Sequence, residues 1–132
     1  MACGRGARDD QLGLTPVATT REIMDGIVIP DSQAVFEAVA YENGVLTRSP
    51  HGDDEWNRLR MRALAVAEAG NLLLIPPRAR DRSDWRTFSQ AMTTKAAAVA
   101  KAAESKDIDA VLLTGGELYD TCTACHGKYL PK

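Results

Sequence analysis

A chain of 132 residues fits one domain, long enough to close a single apolar core around itself. Its formal charge of −2 is too small to argue for nucleic acid or an anionic membrane surface, and no stretch has the length and apolarity of a transmembrane span. Twenty alanines and only 5% aromatic residues, with proline and glycine gathered between periodic runs, point to helices.

Residues 1–17 carry Gly4, Gly6 and Gly13, mixed charge and no helical period, so they read as an irregular N-terminal lead or tether, with the folded domain spanning 18–132. Cys3, in Ala2-Cys3-Gly4, resembles the cysteine at a bacterial lipoprotein cleavage site, although no hydrophobic segment stands before it. A lipid anchor at Cys3 is therefore one expectation and a spare thiol the other.

Thr19-Thr20-Arg21-Glu22 has the form of a capping box, so a first helix should begin near Thr20. Ile23, Met24, Ile27 and Val28 form its apolar face. Pro30 should kink or interrupt the run, and Val35, Phe36, Val39 and Ala40 resume it as far as Tyr41, giving two pieces of one bent helix. Asn43-Gly44 and Ser49-Pro50 then mark a turn region. Asp53 or Asp54 is placed to cap a second helix bearing Trp56, Leu59, Ala63, Val66 and Ala67, which extends past Gly70 through Leu72-Leu73-Leu74 towards Pro76-Pro77.

The third helix begins near Ser83 and has the clearest stripe: Trp85, Phe88, Met92, Ala96, Val99 and Ala103 recur at three and four. Asp107 should cap the fourth, whose stripe takes in Ile108, Val111, Leu112, Gly115, Tyr119, Cys122, Cys125, His126 and Tyr129. Gly115 and Gly116 imply close approach of a neighbouring helix or of a cofactor's edge, with a helix break as the competing reading.

That fourth stripe ends in Cys122-Thr123-Ala124-Cys125-His126, the spacing that attaches a haem covalently to a polypeptide. Two cysteines three apart can each take one vinyl group, and the adjacent imidazole can coordinate the iron. On a helix, positions i, i+3 and i+4 share a face, so all three groups can address one porphyrin. A Cys-x-x-Cys redox pair would be expected beside a βαβ pattern, and none is visible. Zinc would need about four ligands, and only Cys3, His51 and carboxylates remain to complete a set. His51 reads as a solvated loop histidine.

Four amphipathic helices joined by short loops imply an all-α, antiparallel up-down-up-down four-helix bundle, with one haem c near the C-terminal end of the last helix. His126 then lies level with the start of the first helix, the end of the second and the start of the third. Met24 stands about five residues into the first helix, roughly 7.5 Å from its start, which makes it the best-placed sixth ligand. Met61 belongs to the opposite end and Met92 lies about a turn deeper, so both are expected to be core. Leu118, Tyr119, Met24 and Ile27 should pack on or near the porphyrin.

A Cys-x-x-Cys-His-x-x-Tyr run, here Cys122 through Tyr129, on the last of four helices resembles the cytochrome c-prime family over approximately residues 18–130. Arg21-Glu22-Ile23-Met24-Asp25 resembles its low-spin, six-coordinate branch, in which a methionine of the first helix binds iron opposite histidine. In the high-spin branch an apolar residue stands there and the iron stays five-coordinate. A basic residue often follows the tyrosine in this family, whereas Leu130 stands here, so no electrostatic role is carried to that position.

With His126 and Met24 both on the iron there is no vacant site, and single-electron transfer to a redox partner protein is the expected function. If Met24 only packs, the expectation becomes a five-coordinate binder of nitric oxide or carbon monoxide. No nucleophile–base–acid constellation argues for an enzyme. No signal peptide is visible, yet haem is attached in this way outside the bacterial cytoplasm, so a removed targeting segment and a periplasmic location are expected. An apolar strip on the first two helices would permit a homodimer.

Overall fold

The computed structural model describes residues 12–131; Cys3 and most of the N-terminal lead lie outside the described residues. Residues 12–17 are largely exposed and belong to no helix or strand. Four helices follow, with a small β-hairpin between the first and second.

Helix α1 spans residues 20–36 in three consecutive parts: an α-helical Thr20–Ile23, a π-helical Met24–Val28 and an α-helical Ile29–Phe36. Its start is the expected capping box, with the Glu22 amide donating to Thr19 Oγ1 at 3.1 Å and the Thr19 amide donating to the Glu22 carboxylate at 2.8 Å. Pro30 does not interrupt the helix. Its ring would press on the carbonyl four residues back, and the turn before it is widened so that the Ile29 amide bonds to Met24 O, five residues away.

The helix stops at Phe36, short of the expected Tyr41. Val39 folds back into the core, and Ala40–Glu42 (β1) pairs antiparallel with Val45–Arg48 (β2). Asn43 (φ 52°) and Gly44 (φ 78°) both hold positive φ, the conformation that a tight two-residue hairpin loop demands. The Tyr41 hydroxyl donates to Asp109 at 3.2 Å, tying the hairpin to the start of the last helix.

Helix α2 (Gly52–Leu72) is preceded by His51 at the N-cap, not by Asp53 or Asp54, and the Glu55 carboxylate accepts from the His51 amide at 2.7 Å. Helix α3 (Asp84–Glu104) and helix α4 (Ile108–Tyr129) begin where their caps imply. The Asp107 carboxylate accepts from the Ala110 amide at 3.0 Å.

Adjacent helices are antiparallel, as cross-links at both ends show. Lys106 after α3 pairs with Asp53 at the start of α2, while Trp85 early in α3 donates its indole N–H to Leu73 O after α2, at 2.8 Å. Lys128 near the end of α4 pairs with Asp84 at the start of α3, and Lys95 meets Glu117 at 3.3 Å. α1 packs on α2 and closes the bundle against α4, the most sparsely packed seam of the four.

The core is densest between α2 and α3, where Ala63, Val66, Ala69, Ala96 and Val99 are all fully buried. Small side chains let these two helices approach closely, and Gly70 marks the tightest point. A Cβ there would stand 2.1 Å from Thr93 Oγ1 and 2.7 Å from Ser89 O. The Thr93 hydroxyl also donates to Ala67 O at 2.9 Å, so it is not free to swing aside. Gly70→Ala should therefore lower stability by about 1–3 kcal/mol, despite the better helix propensity of alanine, in a urea titration.

Three further expectations change. Met61 is 44% exposed and is not core. Leu112 and Tyr119 are turned outward, and Leu118, fully buried, takes the central place on α4. Helix α4 runs unbroken through Gly115 and Gly116; a Cβ on Gly115 would meet Val35 at an ordinary 3.8 Å, so neither a break nor an unusually close neighbouring helix explains that pair.

The loop from Leu73 to Ser83 is fixed by Arg78, a buried guanidinium that donates to Ala18 O at 2.9 Å and Leu72 O at 3.0 Å. It binds the entry of α1 and the carbonyl end of α2 together, a favourable end for a cation.

Candidate haem site

Cys122, Cys125 and His126 lie in the last two turns of α4 on the side facing the α1–α3 gap. They border a cavity of about 240 Å³. Met24, Val28, Ile29, Ser32 and Phe36 of α1 form the opposite wall. Leu73 closes the end beside α2, and Phe88, Ser89 and Met92 of α3 supply the remaining side.

Of the residues singled out from sequence, Met24, Tyr119, Cys122, Cys125 and His126 are brought to this one cavity. Ile27 and Tyr129 do not line it: Ile27 packs against the core, and Tyr129 is turned towards the start of α3. Tyr119 stands at the rim, 57% exposed, its ring meeting Phe36 edge-on at 5.4 Å.

Met92 also borders the cavity, although the depth argument placed it a turn too deep. The relevant level is that of the cysteines. Met92 lies eight residues into α3, about 12 Å, and Cys122 lies seven residues from the end of α4, about 10.5 Å, so in an antiparallel pair they stand opposite. Phe88 is reached by the same measurement.

Burial pushes both cysteine thiols up from their ordinary value of 9.0, that of Cys122 further assisted by Cys125. They also sit towards the carbonyl end of their helix, which disfavours a thiolate. Redox-active pairs need the opposite shift. Among the described residues no group of three or more His, Cys, Asp or Glu gathers to hold a metal ion.

The residues fit a covalently held haem: two neutral thiols and one imidazole on a single helical face, opposite a wall of aliphatic, aromatic and thioether groups. The helix end that carries them is fastened from outside. The Tyr129 hydroxyl donates to the Asp81 carboxylate, and its ring packs edge-on against Trp85 at 5.0 Å and Phe88 at 6.4 Å. Asp81 also accepts from the Ser83 amide at 2.9 Å and the Trp85 amide at 3.0 Å, so one carboxylate caps α3 and anchors α4.

Those donors, the Tyr129 hydroxyl foremost, hold the Asp81 carboxyl at about 2, below its ordinary 3.8. A carboxylate lowered in the folded state contributes stability that is complete above about pH 4 and is lost as pH falls through about 2. Acid unfolding should therefore steepen between pH 4 and 2. In Tyr129→Phe the loss should move to higher pH, read by circular dichroism across that range.

A family model described as Cytochrome C' matches residues 80–130, which covers nearly all of α3 and α4, including Cys122 to His126, but not α1 or Met24. Neither the comparison with curated proteins nor that with solved structures found a match. Over that C-terminal half of the bundle, then, the chain is similar to the cytochrome c-prime family.

Proposed function

We propose that this chain is a mono-haem c-type cytochrome that carries single electrons, with thioether bonds at Cys122 and Cys125 and with His126 and Met24 as axial ligands. The observation that carries the proposal is that Met24, some hundred residues from the motif in sequence, borders the same cavity as Cys122, Cys125 and His126. The bound haem supplies the one-electron couple, and the thioether of Met24 favours its reduced state.

The chain's own residues bind, orient and shield. The two cysteine sulfurs fix the macrocycle to α4. Phe88, Phe36 and Val28 exclude water from its faces and lower the local dielectric. The Tyr129–Asp81 contact holds the last turn of α4, and with it His126, in one orientation through both oxidation states. Tyr119, exposed at the rim, offers a partner protein an aromatic contact beside the cavity.

A periplasmic location, a redox partner protein, a homodimer and a lipid anchor at Cys3 are parts of the same proposal that rest on the sequence alone. No helix among the described residues is long and apolar enough to cross a membrane.

Denaturing mass spectrometry of protein matured in a periplasm tests the attachment. The expected mass is the polypeptide plus one haem, with reversible one-electron voltammetry. The bare polypeptide mass would overturn the proposal.

A further inference from the structure

In a regular α-helix the residues that α1 presents to the cavity would spread over an arc of about 140°. Those residues are Met24, Val28, Ile29, Ser32 and Phe36. At about 100° per residue, Ser32 would stand about 80° from Met24, Phe36 about 120° and Ile29 about 140°. Met24 would stand at one edge of that arc, with only Val28 within about 40° of it. The turn from Met24 to Val28 is π-helical, however, with the Ile29 amide on Met24 O. A π turn advances only about 80° per residue, so five such steps followed by α steps bring Val28, Ile29, Ser32 and Phe36 all within about 40° of Met24.

We infer that the π turn at Met24–Val28 is a positioning element that aims the Met24 thioether into the cavity and keeps the Asp25 carboxylate out of it. In an uninterrupted α-helix in the register of Ser32, seven residues separate that position from residue 25, which places Asp25 about 20° off the cavity face and Met24 about 80° off. Asp25 is instead exposed and pairs with Arg21 at 3.6 Å on the outer surface. Pro30 explains why the helix widens near this point, but nothing packs beside Gly26, so no contact within the turn itself selects the register in which Met24 rather than Asp25 faces the cavity. Single π turns of this kind recur at functional sites because one extra residue re-aims a side chain without breaking the helix.

The inference rests on the reading of Met24 as the sixth ligand, and the test separates the two. Three holoprotein variants are compared with the parent. Deleting Gly26, together with Pro30→Ala so that no ring opposes a plain α turn, leaves Met24 seven positions from Ser32, which restores the phase, so Met24 should stay over the haem. Inserting an alanine after Gly26 should swing Met24 by about 80° or more and bring Asp25 into its place. Adding Asp25→Met to the insertion should restore a thioether at the iron.

The readouts are the ferrous absorption spectrum and the ¹³C-methyl resonance of the methionine, recorded under carbon monoxide where that is needed for a diamagnetic iron. Parent, deletion and rescued insertion should show a strongly ring-current-shifted methyl, and the simple insertion should lose that shift and become high-spin. A deletion that loses the shift, or an insertion that keeps it, overturns the inference. A parent that is high-spin yet shows the same pattern of methyl shifts would refute Met24 ligation while leaving its positioning by the π turn upheld.

Discussion

Met24→Ala should convert an electron carrier into a ligand-binding haem protein. The side chain is half-buried at the cavity wall, and its neighbours Val28, Ile29 and Phe36 are apolar. Truncation removes the sulfur and leaves a space too apolar to hold a water firmly, so the ferrous iron should become largely five-coordinate and high-spin. Carbon monoxide should then bind readily to the variant and poorly to the parent. The reduction potential should fall by on the order of 0.1 V, a fraction of the roughly 0.8 V that axial ligation spans, because no thioether favours the reduced iron. Met92 supplies a control, since it borders the same cavity from α3. Met92→Leu keeps the volume and should leave the spin state unchanged, whereas a parent-like spectrum in Met24→Ala together with a changed one in Met92→Leu would transfer the ligand role to α3.

The second large effect is expected from Cys122→Ser/Cys125→Ser, which removes both points of attachment. The α1–α4 seam is the least packed in the bundle, and the cavity borders it, so a haem held at the proposed site would be the chief filler between these helices. Without it, α1 and the last turns of α4 should lose amide protection, while the α2–α3 interface around Ala63, Val66, Ala96 and Val99 should hold. A loss of several kcal/mol would lower the melting temperature by roughly 10–20 °C in a domain of this size. Hydrogen exchange resolved by segment reads the pattern. Uniform protection across all four helices in the double variant would show that the bundle closes without haem.

The parts legible in sequence are those whose signal is local. Thr19 with Glu22 and Asp107 with Ala110 mark helix starts through one side chain and one amide, and both are found in place. The α3 stripe is legible because Trp85, Met92, Ala96, Val99 and Ala103 recur at three and four and are all buried. Cys122, Cys125 and His126 share a cavity because a helix puts i, i+3 and i+4 on one side, whatever surrounds it.

What escaped depended on how elements meet. Asn43-Gly44 was readable as a turn, but its strands have three and four residues and are almost wholly exposed, so no alternation of apolar and polar residues announced them. The π turn arises where Pro30 meets a helix that must also bury Ile23 and Val28, a conflict that exists only once the bundle is packed. The stripe on α4 was drawn through Leu112 and Tyr119, whereas the open α1–α4 seam leaves both exposed and gives Leu118 the buried place. Met92 is buried in the core as expected; that it also borders the cavity was not foreseen, because its level was judged against the histidine although the cysteines a turn earlier set the depth of the cavity.

The measurement that bears most directly on the central claim is the visible absorption spectrum of the parent holoprotein in both oxidation states, repeated for the ferrous form under carbon monoxide. Axial ligation by His126 and Met24 predicts a low-spin spectrum in each state and a ferrous spectrum that carbon monoxide leaves unchanged on the time scale of mixing. A high-spin spectrum in both states, with immediate formation of a carbon monoxide complex, would contradict the account and make the protein a gas binder.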